Sequence, residues 1–541
     1  MDKHLKVWLA FTMVAALTLC VAGSIEAQPK KGGVMVEAMN TEPTNLDIFK
    51  ALRQPEYIVL RLIFEPLFVF NEKLEVVPHL AESYHVSPDG LSWTLTLKKG
   101  VKFHDGTPFN AEAAKFSLER LMAGSQGRTL KMIDKVEVLN DVTAVVKLKQ
   151  PYPLLSYTLA SFNVGMASPT AFNKAAGEWG SKVIVGTGPF MFKEWRSGDR
   201  VILDRNPEYK HGPAFLANRG PAYPDQWVIR FLREQTTLIA ELTAGDVDLS
   251  VYVSERDLDR VKNNPKTGLI LSPSTSPIYL VINTSKKNPP YDDIRVRKAI
   301  VHAVDTAAVR KAALSDVGKP LFTTISPSVL GFAPESAARG QVDVVFDLAK
   351  AKALLEDAGW KDSGKGYREK DGQPLDLVLM AFTIARYKRM AEVAAPMLEA
   401  AGFKVDLKIL EAGDLYARIL REEHDLLATG LVVSQGLAVD DLVGTFHTSS
   451  LGQATQWCRY NNPEVDKALD LARFDNDPKV RAENLKKAQL LITADVPVVP
   501  IAQAMDILGY KKTVGGVSDW TKHPWALDQA NVYRGLLLYK Q

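Results

Sequence analysis

Alternation of apolar and polar residues is clearest from Leu80 to Leu121, LAESYHVSPDGLSWTLTLKKGVKFHDGTPFNAEAAKFSLERL. Tyr84 and Val86 begin an alternating run, and Pro88-Asp89-Gly90 predicts a turn, because proline presets φ and glycine accepts positive φ. Trp93, Leu95 and Leu97 then alternate with Thr94, Thr96 and Lys98, the period of a half-buried strand. Gly100 punctuates, Val101 and Phe103 resume the alternation, and Asp105-Gly106 turns again. Asn110 is placed to cap a helix whose Ala114, Leu118 and Leu121 share one face. The pattern predicts hairpin, strand, turn and helix, and carries no chemistry of its own.

Other stretches add elements. Gly32 to Ala38 predicts an early strand, and Val136 to Leu148 alternates as one strand before Pro151-Tyr152-Pro153 breaks it. Trp195 to Asn206 predicts a hairpin turning at Ser197-Gly198-Asp199, and Ile278 to Asn283 is another alternating strand. Asp347 and Gly359 bracket a helix. Asn462 caps a second, with Pro463 at its first position and Val465, Leu469 and Ala472 on one face.

Composition narrows the class. With 541 residues, 46% hydrophobic and 24% charged, the chain is ordinary for a globular protein and long enough for two or three structural units. Net charge is +3 with no long run of one sign, which disfavours a nucleic-acid surface. Lys3 and Lys6 precede the apolar stretch Val7 to Ala22, and Ile25-Glu26-Ala27 fits a cleavage site, so an export signal over residues 1–27 is expected. Cys20 raises the alternative of a lipid anchor, but bulky Leu19 stands where a lipobox wants a small residue. Cys458 would then be alone and unable to form an internal disulfide. None of the nine histidines stands in a metal-ligand spacing, and no G-x-S-x-G elbow occurs, so a metal centre, cofactor or hydrolase is not expected.

The ordered run from Ala81-Glu82-Ser83 through Pro88-Asp89-Gly90, Gly100-Val101-Lys102-Phe103-His104-Asp105-Gly106 and Ala111 resembles the signature of family 5 bacterial extracellular solute-binding proteins. Glu42-Pro43-Thr44-Asn45-Leu46-Asp47, Gly186-Thr187-Gly188-Pro189-Phe190, Ala244-Gly245-Asp246-Val247-Asp248 and the run from Tyr279 through Arg297 are similar to further motifs of that family. The glycines at 186 and 188 lack the spacing of a phosphate loop and are expected to permit close backbone approach. The resemblance implies an α/β, periplasmic-binding-protein-like fold, with two large domains joined by a hinge plus an extra N-terminal lobe. Domain I would comprise 28–57, 183–285 and 503–541, the extra lobe 58–182, and domain III 286–502. It implies a monomeric periplasmic receptor, cleaved near Ala27, that captures a peptide or peptide-like solute and hands it to ABC permease and ATPase subunits.

In peptide-binding members, a G-W-x-x-D-Y segment supplies an aspartate for the peptide ammonium and a tryptophan for the cleft. The matching stretch here is Gly430-Leu431-Val432-Val433-Ser434-Gln435, with Leu431 for the tryptophan and Ser434 for the aspartate. A substitute carboxylate could come from Glu42, Asp440 or Asp441. Alternatively the solute is blocked, or is an opine, a sugar conjugate or a metal chelate, and a chemotaxis adaptor is the other functional class. The expected ligand-binding residues are Glu42, Thr44, Tyr279, Gly430, Leu431, Val432, Ser434 and Trp457, with no catalytic or metal-ligating residue.

Overall fold

Two long strands, Thr267–Ile282 and Val498–Lys511, run antiparallel through the middle of the molecule. The computed structural model describes residues 29–124, 126–127, 129–286, 290–315, 317–430, 437–452, 456–522 and 533–541. The expected signal segment, with Cys20, and the site candidates Leu431, Val432 and Ser434 lie outside the described residues.

The long pair unites one mixed sheet. From one edge its order is Lys404–Leu410, Asp376–Phe382, Leu426–Gly430, Thr267–Ile282, Val498–Lys511, Leu249–Ser250, Val34–Met39, Gln226–Phe231, Arg200–Arg205 and Phe190–Arg196. Each long strand therefore has one end in each half of the sheet. Their ladder breaks where Pro273 opposes Met505 but Pro277 opposes Gln503, four residues against two. Proline has no N–H for the ladder, so two prolines interrupt it there. Buried Gln503 braces the gap: its amide nitrogen lies 2.7 Å from the Ser326 and Ser328 hydroxyls and 3.0 Å from the Ser274 carbonyl.

The signature stretch forms a separate four-stranded sheet, ordered Ala81–Val86, Ser92–Leu97, Thr143–Leu148, Ile133–Asn140. Trp93, Leu95, Leu97 and Phe103 are buried, and Asn110 accepts the Ala113 N–H at 3.0 Å at the start of helix Ala111–Ala123. Two expectations are corrected. Residues Val136 to Leu148 belong to two strands, because Asn140-Asp141 turns the chain, with the Asn140 side-chain oxygen accepting the Val142 N–H at 3.0 Å. Val101 to Phe103 forms no strand beyond an isolated bridge of Lys102 with Pro108, since Asp105 turns the chain at once by accepting the Thr107 N–H at 3.0 Å.

Buried Glu65 ties this lobe to the main sheet. Its carboxylate accepts from the Tyr209 hydroxyl at 2.6 Å and the Thr187 hydroxyl at 2.8 Å, and meets His79 Nε2 at 2.8 Å and His211 Nε2 at 2.9 Å. Burial acts to raise its pKa, but His211, His79 and these bonds together hold it well below the usual carboxylate range. The glycines of the Gly186-Thr187-Gly188 motif lie against the same junction. A Cβ on Gly186 would stand 2.1 Å from the Ile63 carbonyl oxygen, and the Gly188 N–H donates to that oxygen at 2.9 Å. At the other end of the chain, buried Arg534 meets Glu37 at 3.3 Å and donates to the Ile58 carbonyl at 2.5 Å.

Gly186→Ala is therefore expected to cost several kcal/mol, of the order of 1–3 or more, because backbone must move. Gly413→Ala, in helix Ala412–Leu420 with open space around it, is expected to raise stability by about 0.5–1 kcal/mol. Denaturant unfolding of the two variants checks both signs.

Candidate functional site

Parallel strands converge on the crossing pair from both sides. On one side Val34–Met39 lies between Gln226–Phe231 and Leu249–Ser250, parallel to both. On the other, Asp376–Phe382 lies between Lys404–Leu410 and Leu426–Gly430, again parallel to both. In open parallel sheets a ligand crevice forms outside the carboxyl ends of the strands, where neighbouring connections leave in opposite directions. Here those ends release residues 40–44, 232–234 and 251–257 from the first half, and 383–387 and 411 from the second. The Arg386 guanidinium lies 3.6 Å from the Glu255 carboxylate, so the loop after Leu249–Ser250 meets the first turn of helix Ala385–Ala401.

An aromatic shelf lines the second half. The Phe382 ring meets Tyr416 edge-on at 5.6 Å and Tyr387 at 6.0 Å, leaving Tyr416 and Ile384 exposed. Tyr387 packs over the backbone of Gly430, where a Cβ would stand 2.6 Å from the phenol oxygen. Gly430 ends its strand opposite Ile278.

The other expected residues are placed as follows. Glu42 accepts from the Gly198 N–H at 2.9 Å, the Ser197 hydroxyl at 3.0 Å and the Trp195 indole at 3.2 Å, and pairs with Arg233 at 3.3 Å. Burial opposes its ionisation, but those donors hold its pKa below the ordinary value, led by the Gly198 N–H. It clamps the turn of the hairpin Phe190–Arg196 and Arg200–Arg205. Thr44 is exposed, and its N–H and hydroxyl both donate to Glu56, at 2.9 and 3.0 Å. Tyr279 is buried, pairs with Thr429 and Pro500 in the sheet, and donates its hydroxyl to the Thr324 carbonyl.

Trp457 is partly buried and packs against the same apolar cluster as Tyr279, Phe382 and Cys458. Its carbonyl accepts from His424 at 2.8 Å, at the amino end of strand Leu426–Gly430. Adjacent Cys458 is buried, and burial pushes its thiol up to about 12. Glu255 and Arg386 were not singled out from the sequence; their only signal was a place a few residues after strand ends.

Two carboxyl groups stand in helix Ala438–Phe446. Asp440 meets Arg473 at 3.2 Å and the Tyr152 hydroxyl at 3.4 Å, and Arg473 also lies over the Tyr152 ring at 5.7 Å. Asp441 is buried, and burial, with Asp440 beside it, holds its proton well above the usual carboxylate range. Elsewhere a cavity of about 540 Å³ opens beside the Glu65 cluster, lined by Lys102, His104, Tyr209 and His211, with no contribution from the facing strand ends.

Two α/β halves that turn strand ends toward each other across a crossing pair make a hinged solute-binding protein. Residues 75–452 match the model of the bacterial extracellular solute-binding proteins, family 5 Middle, and the chain belongs to that family. It is 27% identical over 523 residues to the glutathione-binding protein GsiB of Salmonella choleraesuis (strain SC-B67), covering 94% of this chain and 95% of that one. The oligopeptide-binding protein AppA of Bacillus subtilis, solved with a nonapeptide, has the same fold at a TM-score of 0.75 and 23% identity, covering 95% of this chain and all 100% of that one. DppA of Helicobacter pylori, solved with the peptide STSA, matches at a TM-score of 0.76 and 24% identity over 96% of this chain and 100% of that one. No described helix is long and apolar enough to cross a membrane.

Two outcomes are expected at these positions. The Arg386–Glu255 pair is partly exposed, so it is worth no more than about 1 kcal/mol, and Arg386→Ala should weaken solute binding by no more than about fivefold in a titration. For Asp441 the folded state keeps a proton that the unfolded chain loses above its ordinary value of 3.8, so this group costs stability increasingly as pH rises past that point. Asp441→Asn in solute-free protein should accordingly raise the unfolding midpoint at neutral pH and leave it unchanged at acid pH below that value.

Proposed function

We propose that this chain is the exported receptor of an ABC importer, taking a peptide or peptide-like solute into the crevice between the two sets of strand ends. The observation that supports it most is the facing of segments 251–257 and 383–387, joined by Arg386 and Glu255, in a chain of this family. The relatives named above bind glutathione, a nonapeptide and a tetrapeptide, all peptide-like molecules. In this reading residues 28–57, 183–285 and 503–541 form one domain, 286–502 the other, and 58–182 the added lobe. The crossing strands act as hinge, and affinity comes from solute preferring the closed state. Residues 1–27 are removed on export, the receptor works as a periplasmic monomer, and separate permease and ATPase subunits receive the solute. Binding, without turnover, is its activity.

Ser434 in place of the aspartate of peptide-binding relatives favours one second reading, a receptor for a blocked peptide or a non-peptide such as an opine. Native mass spectrometry of freshly purified protein tests both. A retained peptide is the expected result, and it should raise unfolding stability by roughly 2.7 kcal/mol at 100 times its dissociation constant. A retained non-peptide solute would establish the second reading. Protein that retains nothing, but hydrolyses peptides, would overturn both.

A further inference from the structure

The two halves also meet through the added lobe, at the last turn of helix Pro463–Phe474. On the lobe side, Pro151-Tyr152-Pro153 follows strand Thr143–Leu148, and Tyr152 is buried. The Phe474 ring lies 6.2 Å from the Tyr152 ring, and the Arg473 guanidinium stands 5.7 Å from the Tyr152 ring and 5.3 Å from the Phe474 ring. Asp440 completes the group, 3.2 Å from Arg473 and accepting the Tyr152 hydroxyl at 3.4 Å. Among the described residues, Phe474 alone of residues 286–502 packs on the apolar core that the lobe shares with the first half of the sheet. The Pro88-Asp89-Gly90 turn reaches the same place. A Cβ on Gly90 would stand 3.1 Å from the Pro151 Cβ and 3.4 Å from the Asn476 side-chain oxygen.

Tyr152 and Phe474 lie on none of the strand ends that face the crevice. Opening at the interrupted ladder between Pro273 and Pro277 would draw Phe474 off the lobe and put both rings in water. Arg473 and Asp440 belong to the same half and stay paired. What opening breaks is the ring contact, the guanidinium over Tyr152 and the phenol hydrogen bond. Burial of aromatic area and a cation over a ring both favour the joined arrangement. We infer that Tyr152 and Phe474, backed by Arg473 and Asp440, form a closure latch that positions the two halves and sets how tightly solute is held without touching it. The inference rests on the closure reading given under the proposed function. Affinity scales with the fraction of molecules already in the binding-competent state. A latch that populates the closed form without solute therefore raises affinity for every solute by the same factor.

The test uses the full chain, unfolded and refolded to strip it, and the pool of small molecules released in that step from the unaltered protein. Scattering gives the radius of gyration of the empty unaltered protein, Phe474→Ala, Tyr152→Ala and the double variant. Each alanine variant should have a larger empty radius than the unaltered protein. The double variant should be no larger than either single one, because the same contact is lost in all three. By native mass spectrometry the variants should need about tenfold more of the pool for equal retention, with one factor for all its members. Asn476→Trp, at an exposed position against the Gly90 turn, wedges the halves without disturbing either core. It should enlarge the empty radius even where an alanine variant fails to fold. A purely structural contact would lower unfolding midpoints and leave empty radius and retention alone. Unchanged empty radii in the folded variants, or retention equal to that of the unaltered protein, overturn the latch and leave the closure reading standing. A radius that the returned pool lowers in none of the proteins, the unaltered one included, overturns both.

Discussion

Strands Thr267–Ile282 and Val498–Lys511 must stay paired while belonging to two halves at once, and most of the architecture follows from that. The outer end of one meets Leu426–Gly430 and that of the other meets Leu249–Ser250, so each half inherits a sheet already in register. The ladder is interrupted only between Pro273 and Pro277 and beside Ile278. A bend taken there spares the hydrogen bonds of either flanking sheet. The polar brace lies at that interruption, where buried Gln503, Ser274 and Ser326 and partly buried Ser328 bond one another from three chain segments.

The crevice inherits its chemistry from this geometry. Strand ends bring backbone and short loops to the centre, and the charged groups nearby are mostly committed to holding those loops. Glu42 fixes a hairpin turn, Thr44 closes on Glu56, and Arg386 reaches Glu255. Helix Ala438–Phe446 plays a double part. Asp440 faces the N-terminal lobe, where Tyr152, Arg473 and Phe474 stack together, while Asp441 is turned into the interior of the second half.

Local signals were legible in the sequence because their causes are local. The Asn110 and Asn462 caps, the turn at Gly198 and the helix bracketed by Asp347 all depend on residues within a few positions. The close approach at Gly186 followed from the motif, although its partner Ile63 did not. The reading failed where a turn hid inside continuous alternation, as at Asn140-Asp141. Site chemistry was less legible for the same physical reason. Glu42 reaches Gly198 across 156 positions, and Arg386 reaches Glu255 through the tertiary fold, so side-chain identity alone could not separate a free carboxylate from an occupied one. Trp457 follows the Gly430 segment closely in sequence, yet its carbonyl is held by His424 at the amino end of the strand.

Closure around a solute is the central claim, and scattering measures it most directly. Protein stripped by unfolding and refolding should give a larger radius of gyration than the same protein after the small molecules released from it are returned. A decrease on return, absent when the molecules come from an unrelated protein, is the predicted result. An unchanged radius with the solute demonstrably bound would contradict the account, because the facing strand ends would then not be the place where the molecule shuts.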